Sequence, residues 1–281
     1  LVARDKGFFV DEGLDLDFVT TPGMAQVTTT HAVGFESGFD RPLDSVYNEG
    51  GIDQYRMCEW GIMKRAVEAN TEGRRSRKIV ALGASMSKFA IVVAKDSRIY
   101  EPEMLKDKLI SVTPNNGSHF TMLKMVEGFL EPEHVKTTNA GSMSKRIEAM
   151  KRGEVAAVVL MEPWISVAQK WGLRILIETH STRAEAAGHE LDGPTLKKMF
   201  SAQARAVETI EKNPRKYAHY LAAETGGLLE TKDFQTWRLL HAPPQPYTRE
   251  RFDDTYNWTV KWNMTVPGAT FENTVDNRAW K

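Results

Sequence analysis

Residues 153–164 have the sequence GEVAAVVLMEPW, and this stretch decides the fold class. Residues 155–160 are almost entirely apolar, which is typical of a strand covered on both faces of a sheet. Glu162 and Trp164 follow at once, where the carboxyl end of the strand meets a connection. A strand covered on both faces needs helices packed on each side, so the stretch predicts an α/β protein.

Outward from this stretch, segments with strand and helix periodicity alternate along the chain. Strands are predicted at residues 14–19, 79–82, 89–94, 109–112 and 173–177. Helices are predicted at residues 1–9, 60–69, 102–108, 118–130 and 142–152, then at 194–212, 214–224, 231–241 and 248–264. Residues 20–51 predict a long loop with one short helix. The alternation favours a mainly parallel sheet with right-handed crossovers.

The order of these segments predicts two lobes. Residues 86–182 form a complete α/β unit, lobe 2, and residues 1–85 with 183–281 form lobe 1 on a sheet of its own. The chain then crosses between the lobes twice, near residues 83–90 and 178–184. Two crossings make a hinge, and a hinge beside a cleft can close on a ligand.

Composition excludes several function classes. Hydrophobic residues make up 41% of the chain and charged residues 26%, and 37 basic side chains balance 37 acidic ones. Nucleic-acid binding is therefore not expected, and the basic run at residues 74–78 is predicted to be a solvated loop. With one cysteine, scattered histidines and no phosphate-binding glycine motif, we expect no metal and no cofactor. No apolar run reaches the ~18 residues of a membrane span.

Several short sequence segments match one group of proteins in their order and spacing. They are residues 3–9 (ARDKGFF), 12–16 (EGLDL), 96–108 (DSRIYEPEMLKDK), 153–157 (GEVAA) and 162–164 (EPW). Together they resemble the periplasmic-binding-protein-like solute receptors for nitrate, sulfonates, taurine and thiamine precursors. The resemblance covers residues 1–19 and 50–183, and residues 20–50 depart from it. It implies a two-lobed type II α/β fold with a ligand cleft between the lobes.

The resemblance also implies a function. A receptor of this type closes around a small anionic or aromatic solute, such as a sulfonate, carboxylate or thiamine-pyrimidine, and passes it to an ABC transporter permease. It would be periplasmic or extracellular. The alternative is a cytoplasmic enzyme on the same fold, a decarboxylase or a C–S or C–C lyase acting on a small aromatic acid. The chain opens without Met, so we expect its natural start to be missing, which leaves the compartment open.

The strongest candidate site runs from a strand end into a helix at Asn116, Gly117, Ser118 and His119. Unpaired N–H groups and partial positive charge at a helix start hold carboxylate, sulfonate or phosphate groups well. Ser118 is predicted to be the N-cap, with ligand contact as its second role. The resemblance raises the expectation of ligand contact.

Further candidate ligand-binding residues lie at other strand ends and at the crossings: Trp60, Ser85, Ser87, Asn139, Glu162 and Trp164. Plain helix capping competes with ligand binding near Asn139, and packing between lobes competes with it at Trp164. If the protein is an enzyme, the candidate catalytic residues are Cys58, Glu59, His119, His180 and Glu162. For Cys58 the simpler interpretation is a small buried residue, and for His180 it is a hinge or core residue.

Overall fold

The sheet is continuous through the molecule. A computed structural model of the chain describes residues 1–18, 43–71 and 74–281. Their strands are β1 Gln54–Cys58, β2 Lys78–Val93, β3 Leu109–Ser111, β4 Lys136–Thr138, β5 Ala157–Met161 and β6 Arg174–Ala187. They form one six-stranded sheet in the order β1-β6-β2-β5-β3-β4. The expectation of a separate sheet for each lobe is therefore wrong for the described residues.

Strand directions correct the predicted mainly parallel sheet. Strand β3 runs parallel to β4 and to β5. The pairs β1–β6, β6–β2 and β2–β5 are antiparallel. The α/β fold class is confirmed, but the sheet is mixed because the two longest strands run past each other in opposite directions.

These two strands, β2 and β6, carry the chain through both predicted crossings. The sequence predicted separate strands at 79–82 and 89–94, and a strand that ends with residues 173–177. In the structure, β2 and β6 continue through both crossings without a loop. Their register shifts between Leu82 and Met86, so three residues of β2 lie against a short stretch of β6. A Cβ added at Gly83, inside this shift, would lie 2.8 Å from Glu185 Oε1. The glycine thus makes room for side chains that cross the strand.

The described residues contain twelve α-helices. The first six are α1 Val2–Asp5, α2 Phe8–Asp11, α3 Leu43–Asn48, α4 Glu59–Thr71, α5 Gly117–Val126 and α6 Met143–Lys151. The remaining six are α7 Trp164–Lys170, α8 Gly193–Glu211, α9 Pro214–Tyr217, α10 His219–Ala223, α11 Arg249–Lys261 and α12 Phe271–Thr274. Short 3₁₀ turns are found at Pro102–Leu105, Pro132–His134, Thr231–Asp233, Thr236–Arg238 and Arg278–Trp280.

Some predicted elements differ from the structure. The helices expected at 102–108 and 231–241 are short 3₁₀ turns. The helix expected at 1–9 is broken at Gly7, whose φ of 72° interrupts it. Residues 14–18 are not a strand. The expected loop over residues 20–51 falls largely outside the described residues, and its described end is α3 and the turn after it.

Strand β5 shows why the sequence of residues 153–164 predicted the fold class. Val158 and Leu160 pack in one hydrophobic cluster with α6 and α7. Ala157 and Val159 pack in another, with α5. The strand is covered on both faces, as its apolar run predicted.

The basic run at residues 74–78 is not the solvated loop that its charge suggested. Arg77 is buried and donates to Tyr55 Oη (2.8 Å). Arg75 donates to the carbonyls of Tyr47 (2.9 Å) and Ile52 (2.7 Å). These guanidinium groups fasten the chain before β2 to the surroundings of β1. No helix in the described part of the chain has the length and apolarity to span a membrane.

Candidate functional site

The two crossing strands bring several predicted site residues to one place. Cys58 ends β1 and lies directly opposite Arg183 on β6. The helix α5 begins against it, since a Cβ added at Gly117 would lie 3.0 Å from Phe89 Cζ and 3.5 Å from Cys58 Cβ. Glycine therefore permits the start of α5 to approach β1 and β2 closely. We call Cys58, Ser87, Arg183 and the turn at residues 113–118 the crossing site.

The Cys58 thiol is poorly suited to nucleophilic attack. Burial raises the pKa of the thiol, and this effect outweighs a hydrogen bond from the Gly61 backbone and the nearby charge of Arg65. A nucleophilic cysteine needs the opposite shift, toward thiolate at neutral pH. The interpretation of Cys58 as a small buried residue fits this environment.

Glu59 is a fully satisfied buried carboxylate. Its Oε1 accepts hydrogen bonds from Tyr247 Oη (2.6 Å), Arg251 Nε (2.7 Å) and Thr255 Oγ1 (2.7 Å). Its Oε2 accepts from Arg251 Nη2 (2.5 Å) and from Thr182 Oγ1. Burial pushes the pKa of Glu59 up, but the Arg251 guanidinium and these donors outweigh it and lower the pKa. We call this arrangement the Glu59 clamp, which ties α4 to α11 and to β6.

At the turn before α5, the N-cap is a different residue from the one that the sequence predicted. Asn116 is the N-cap, and its side chain accepts from Gly117 N (2.5 Å). The predicted cap, Ser118, instead accepts from the Thr113 N–H through Oγ (2.9 Å). His119 Nδ1 accepts from Asn115 N (3.3 Å), and burial lowers the pKa of His119. The turn is thus held by its own side chains.

Within the helix, backbone bonding begins with the N–H groups of His119 and Phe120, which both donate to Asn116 O. The Ser118 N–H belongs to the first turn, ahead of that ladder. The Ser118 hydroxyl accepts from the Thr113 N–H and can also donate its own proton. Both groups are donors, so an anion or a carbonyl would complement them.

Arg183 joins the turn as a cation that the sequence analysis missed. Its Nε donates to Ser87 Oγ (2.7 Å), which makes Ser87 a neighbour of the site. Arg183 makes no ion pair within the described residues, but Glu185 and Glu224 lie near enough for their charges to raise its pKa. Burial, and then the charge of Arg56, lower the pKa of Arg183 to about 10, so the group stays protonated at neutral pH. Ser85 lies half-buried in the register shift of β2.

The other face of the crossing strands carries Lys88, opposite His180. Lys88 is 7% exposed, and within residues 1–18, 43–71 and 74–281 it has no hydrogen bond or ion pair. Burial lowers the pKa of Lys88, with Glu178 partly offsetting it. Burial, Lys88 and Arg251 all lower the pKa of His180, so the exposed imidazole is neutral at pH 7.

Glu162 and Trp164 make their recorded contacts with groups outside the crossing site. Trp164 is 2% exposed and packs inside the cluster formed with α6. Glu162 accepts from Ser166 N (3.2 Å) and Ser166 Oγ (3.0 Å), with Arg238 Nη1 at 3.6 Å. Burial raises the pKa of Glu162 against these partners. Both residues are engaged in packing or bonding in this conformation.

Trp60 and Asn139 complete the predicted set. Trp60 is buried and stacks on Phe120 and Trp258, at centroid distances of 6.5 Å and 5.5 Å. Asn139 is exposed and accepts from Gly141 N (3.0 Å), while Ser142 caps α6 through Lys145 N (3.3 Å). Capping at this helix start therefore agrees with the simpler interpretation.

Comparison of the sequence with protein-family models and with curated proteins gives no match. Solved structures do match. The alkanesulfonate-binding protein SsuA from Xanthomonas axonopodis pv. citri, bound to MOPS, is 15% identical, with a TM-score of 0.70 over 94% of this chain and 89% of its own. The conserved CA3427 gene product of Candida albicans, which has the generic periplasmic binding protein fold, is 11% identical, with a TM-score of 0.69 over 98% and 91%.

The chain has the periplasmic-binding-protein fold. This confirms the resemblance that the sequence phrases carried, at the level of the fold. The same fold also occurs in the desulfurization enzyme DszB, which is 13% identical with a TM-score of 0.64 over 99% of this chain and 93% of its own. Binding proteins and an enzyme thus share the architecture, and the activity has to be argued from side chains.

Proposed function

We propose that this chain is a solute-binding protein that takes a small organic anion, of the sulfonate or carboxylate class, at the crossing site. The observation that carries the proposal is Arg183, a cation on a crossing strand that donates to a hydroxyl and makes no ion pair within the described residues. Glu185 and Glu224 are the acidic groups near it, and burial raises the pKa of both, which favours their neutral forms. An anionic ligand would supply the counter-charge that Arg183 lacks at ion-pair distance.

The turn at residues 113–118 supports the same ligand class. It begins α5, whose N-terminus carries partial positive charge, and it offers the Ser118 N–H and hydroxyl. It lies against Cys58, whose strand partner is Arg183. A sulfonate or carboxylate complements a guanidinium and helix-start donors together.

The proposal includes two lobes, residues 1–85 with 183–281 and residues 86–182, that close on the ligand about β2 and β6. As a receptor, the protein would hand its ligand to an ABC-type transporter outside the cytoplasm. The sulfonate-binding relatives favour this role: SsuA from Xanthomonas is bound to MOPS, and SsuA from Escherichia coli is a periplasmic aliphatic sulphonate binding protein.

The test is calorimetric titration of the protein with MOPS, benzenesulfonate, benzoate and a thiamine-type aminopyrimidine. We expect at least one anion to bind, and Arg183→Met to weaken it about tenfold or more. Arg98→Met, at an exposed position before the first 3₁₀ turn, is the matched control and should bind as the wild type does. Absence of anion binding, or equal binding by Arg183→Met, contradicts the proposal.

A second candidate function is an enzyme, and Lys88 is the observation that favours it. Lys88 makes no hydrogen bond or ion pair within the described residues and lies opposite a neutral imidazole, and such a pair is able to stabilise or transfer charge at a carboxylate. Cys58 and Glu59 are less suited, because one is a buried thiol and the other is fully bonded. Incubation with aromatic carboxylates and sulfinates, followed by assay of released CO₂ and sulfite, tests this function. Turnover that is lost in Lys88→Met and kept in Cys58→Ala would establish it.

A further inference from the structure

Arg146 is a second buried cation beside the crossing site, and it has only neutral partners. It lies in α6 and is 1% exposed. Its Nε donates to Gly141 O (3.0 Å), its Nη1 to Val159 O (3.0 Å) and its Nη2 to Thr113 Oγ1. None of the acidic side chains that the structure describes lies within ion-pair distance of it.

The charge of Arg146 persists at neutral pH. Burial lowers the pKa of Arg146 to about 10, which still leaves the guanidinium protonated. Its three acceptors supply hydrogen bonds but no net negative charge, so the positive field is not cancelled locally. Fields of buried charges are screened far less than those of surface charges. An anion bound nearby would therefore feel this charge.

A short chain of hydrogen bonds leads from Arg146 to the crossing site. Thr113 accepts from Arg146 through Oγ1, and its N–H donates to Ser118 Oγ at 2.9 Å. Ser118 follows Gly117, the residue that packs on Cys58. Arg146 thus holds the Thr113 side chain, the Thr113 N–H holds Ser118 Oγ, and at 1% exposure Arg146 does not reach the surface of the turn.

We infer that Arg146 is a positioning residue that sets the preference for anionic over neutral ligands at the Ser118 turn. It acts through its charge and through Thr113, and it does not touch the ligand. The inference rests on the proposed function and deepens it, since it names the group that distinguishes a charged ligand from a neutral one of the same shape.

The experiment compares benzenesulfonate with benzenesulfonamide, a neutral molecule of similar shape. Dissociation constants for both are measured by calorimetry with wild type, Arg146→Met, Arg146→Lys and Thr113→Val, at about pH 6 so that a buried lysine remains protonated. We expect Arg146→Met to weaken benzenesulfonate about tenfold or more and benzenesulfonamide less than threefold. Arg146→Lys should keep the preference for the anion, and Thr113→Val should keep most of it.

Several results overturn the inference. One is a ratio of the two dissociation constants that is unchanged in Arg146→Met, and another is equal weakening of both ligands in Arg146→Met and Arg146→Lys. If Arg146→Met does not fold, Arg146→Gln replaces it, and failure of every neutral variant to fold assigns Arg146 a structural role only. If the wild type binds no anion at all, the proposed function fails. If it binds anions with unaltered selectivity in the variants, only the role of Arg146 fails.

Discussion

Glu59 and Arg146 are both buried charges, at 0% and 1% exposure, but their surroundings are opposite. Glu59 is paired with the Arg251 guanidinium and receives hydrogen bonds from three hydroxyls besides. Arg146 is held by neutral acceptors alone. A compensated buried charge fastens elements together, whereas an uncompensated one retains a field for a ligand. Under the proposed function, the contrast distinguishes a charge that maintains the fold from a charge that positions a binding turn.

The largest effect is expected at the Glu59 clamp. Glu59→Gln leaves Arg251 without its counter-charge, and we expect a loss of about 3 kcal/mol in the free energy of unfolding, measured in urea. The value lies at the low end for buried pairs because the Arg251 side chain is 42% exposed. A loss below about 1 kcal/mol would show that Glu59 and Arg251 do not depend on each other for charge compensation.

The Glu59 clamp should also affect how the free energy of unfolding falls at acid pH. The folded pKa of Glu59 is lowered, so its stabilisation is present above the usual carboxyl pKa and is lost as pH falls through the folded value. In Glu59→Gln this part of the acid-induced loss should be missing. An unchanged profile below about pH 4.5 contradicts the assignment.

Glu224 gives the second largest effect and has the opposite sign. Burial raises the pKa of Glu224 to about 7, against the opposing charge of Arg183. Its contribution to stability is complete below the usual carboxyl pKa and is lost as pH rises through about 7. Partial exposure reduces the effect, which we expect to be about 1–2 kcal/mol. Glu224→Gln should flatten unfolding free energies measured between about pH 4.5 and 8, and a slope equal to the wild type's would count against it.

Glu127 is an intermediate case, since it is an exposed residue whose carboxylate is bonded on several sides. Its Oε2 accepts from Trp258 Nε1 (2.5 Å) and Trp262 Nε1 (3.4 Å), and Lys124 pairs with Oε1 (2.8 Å). Glu127→Gln should cost about 1 kcal/mol and shift the tryptophan emission, because the indole loses a charged acceptor. Emission identical to that of the wild type would mean that the indole keeps another acceptor.

The smallest effect belongs to a surface pair, Arg249 and Glu272, whose side chains are 59% and 66% exposed. Arg249→Gln should change the unfolding free energy by less than about 0.5 kcal/mol. It is the matched control for the Glu59 clamp, because it also removes an ion pair of α11. A larger cost would mean that helix attachment, and not charge compensation, governs both results.

The sequence predicted the fold wherever local pattern was sufficient. The apolar run at 155–160 and the helix at 142–152 needed no distant partner, and both are found, as Ala157–Met161 and Met143–Lys151. The long strands were missed because Gly83, Ser85 and Ser87 interrupt the apolar pattern, although β2 resumes its pairing with β6 at Met86, directly after the register shift. Hydrogen bonds between strands do not depend on side-chain type, so a polar interruption was mistaken for a loop.

The site was predicted less well for a different reason. Asn116, Gly117, Ser118 and Ser87 were named from the sequence because helix starts and crossings leave local signs, and their contact with a ligand stays a prediction. Arg183 was not named, because its significance depends on which groups surround it in space. In the sequence, Arg183 is visible only as a charged residue shortly after His180. Trp164 shows the converse, since an aromatic residue at a strand end packs in the core.

The register shift between Leu82 and Met86 has a mechanical consequence. A bulge lacks part of the hydrogen-bond ladder, so it bends at lower cost than the regular ladder on either side. Any rotation of one half of the molecule against the other would concentrate in the few backbone torsions at residues 83–85. Three residues of β2 then set how easily the sheet bends at this point, and a bulkier residue in place of Gly83 would stiffen it by pressing on the Glu185 and Arg56 side chains.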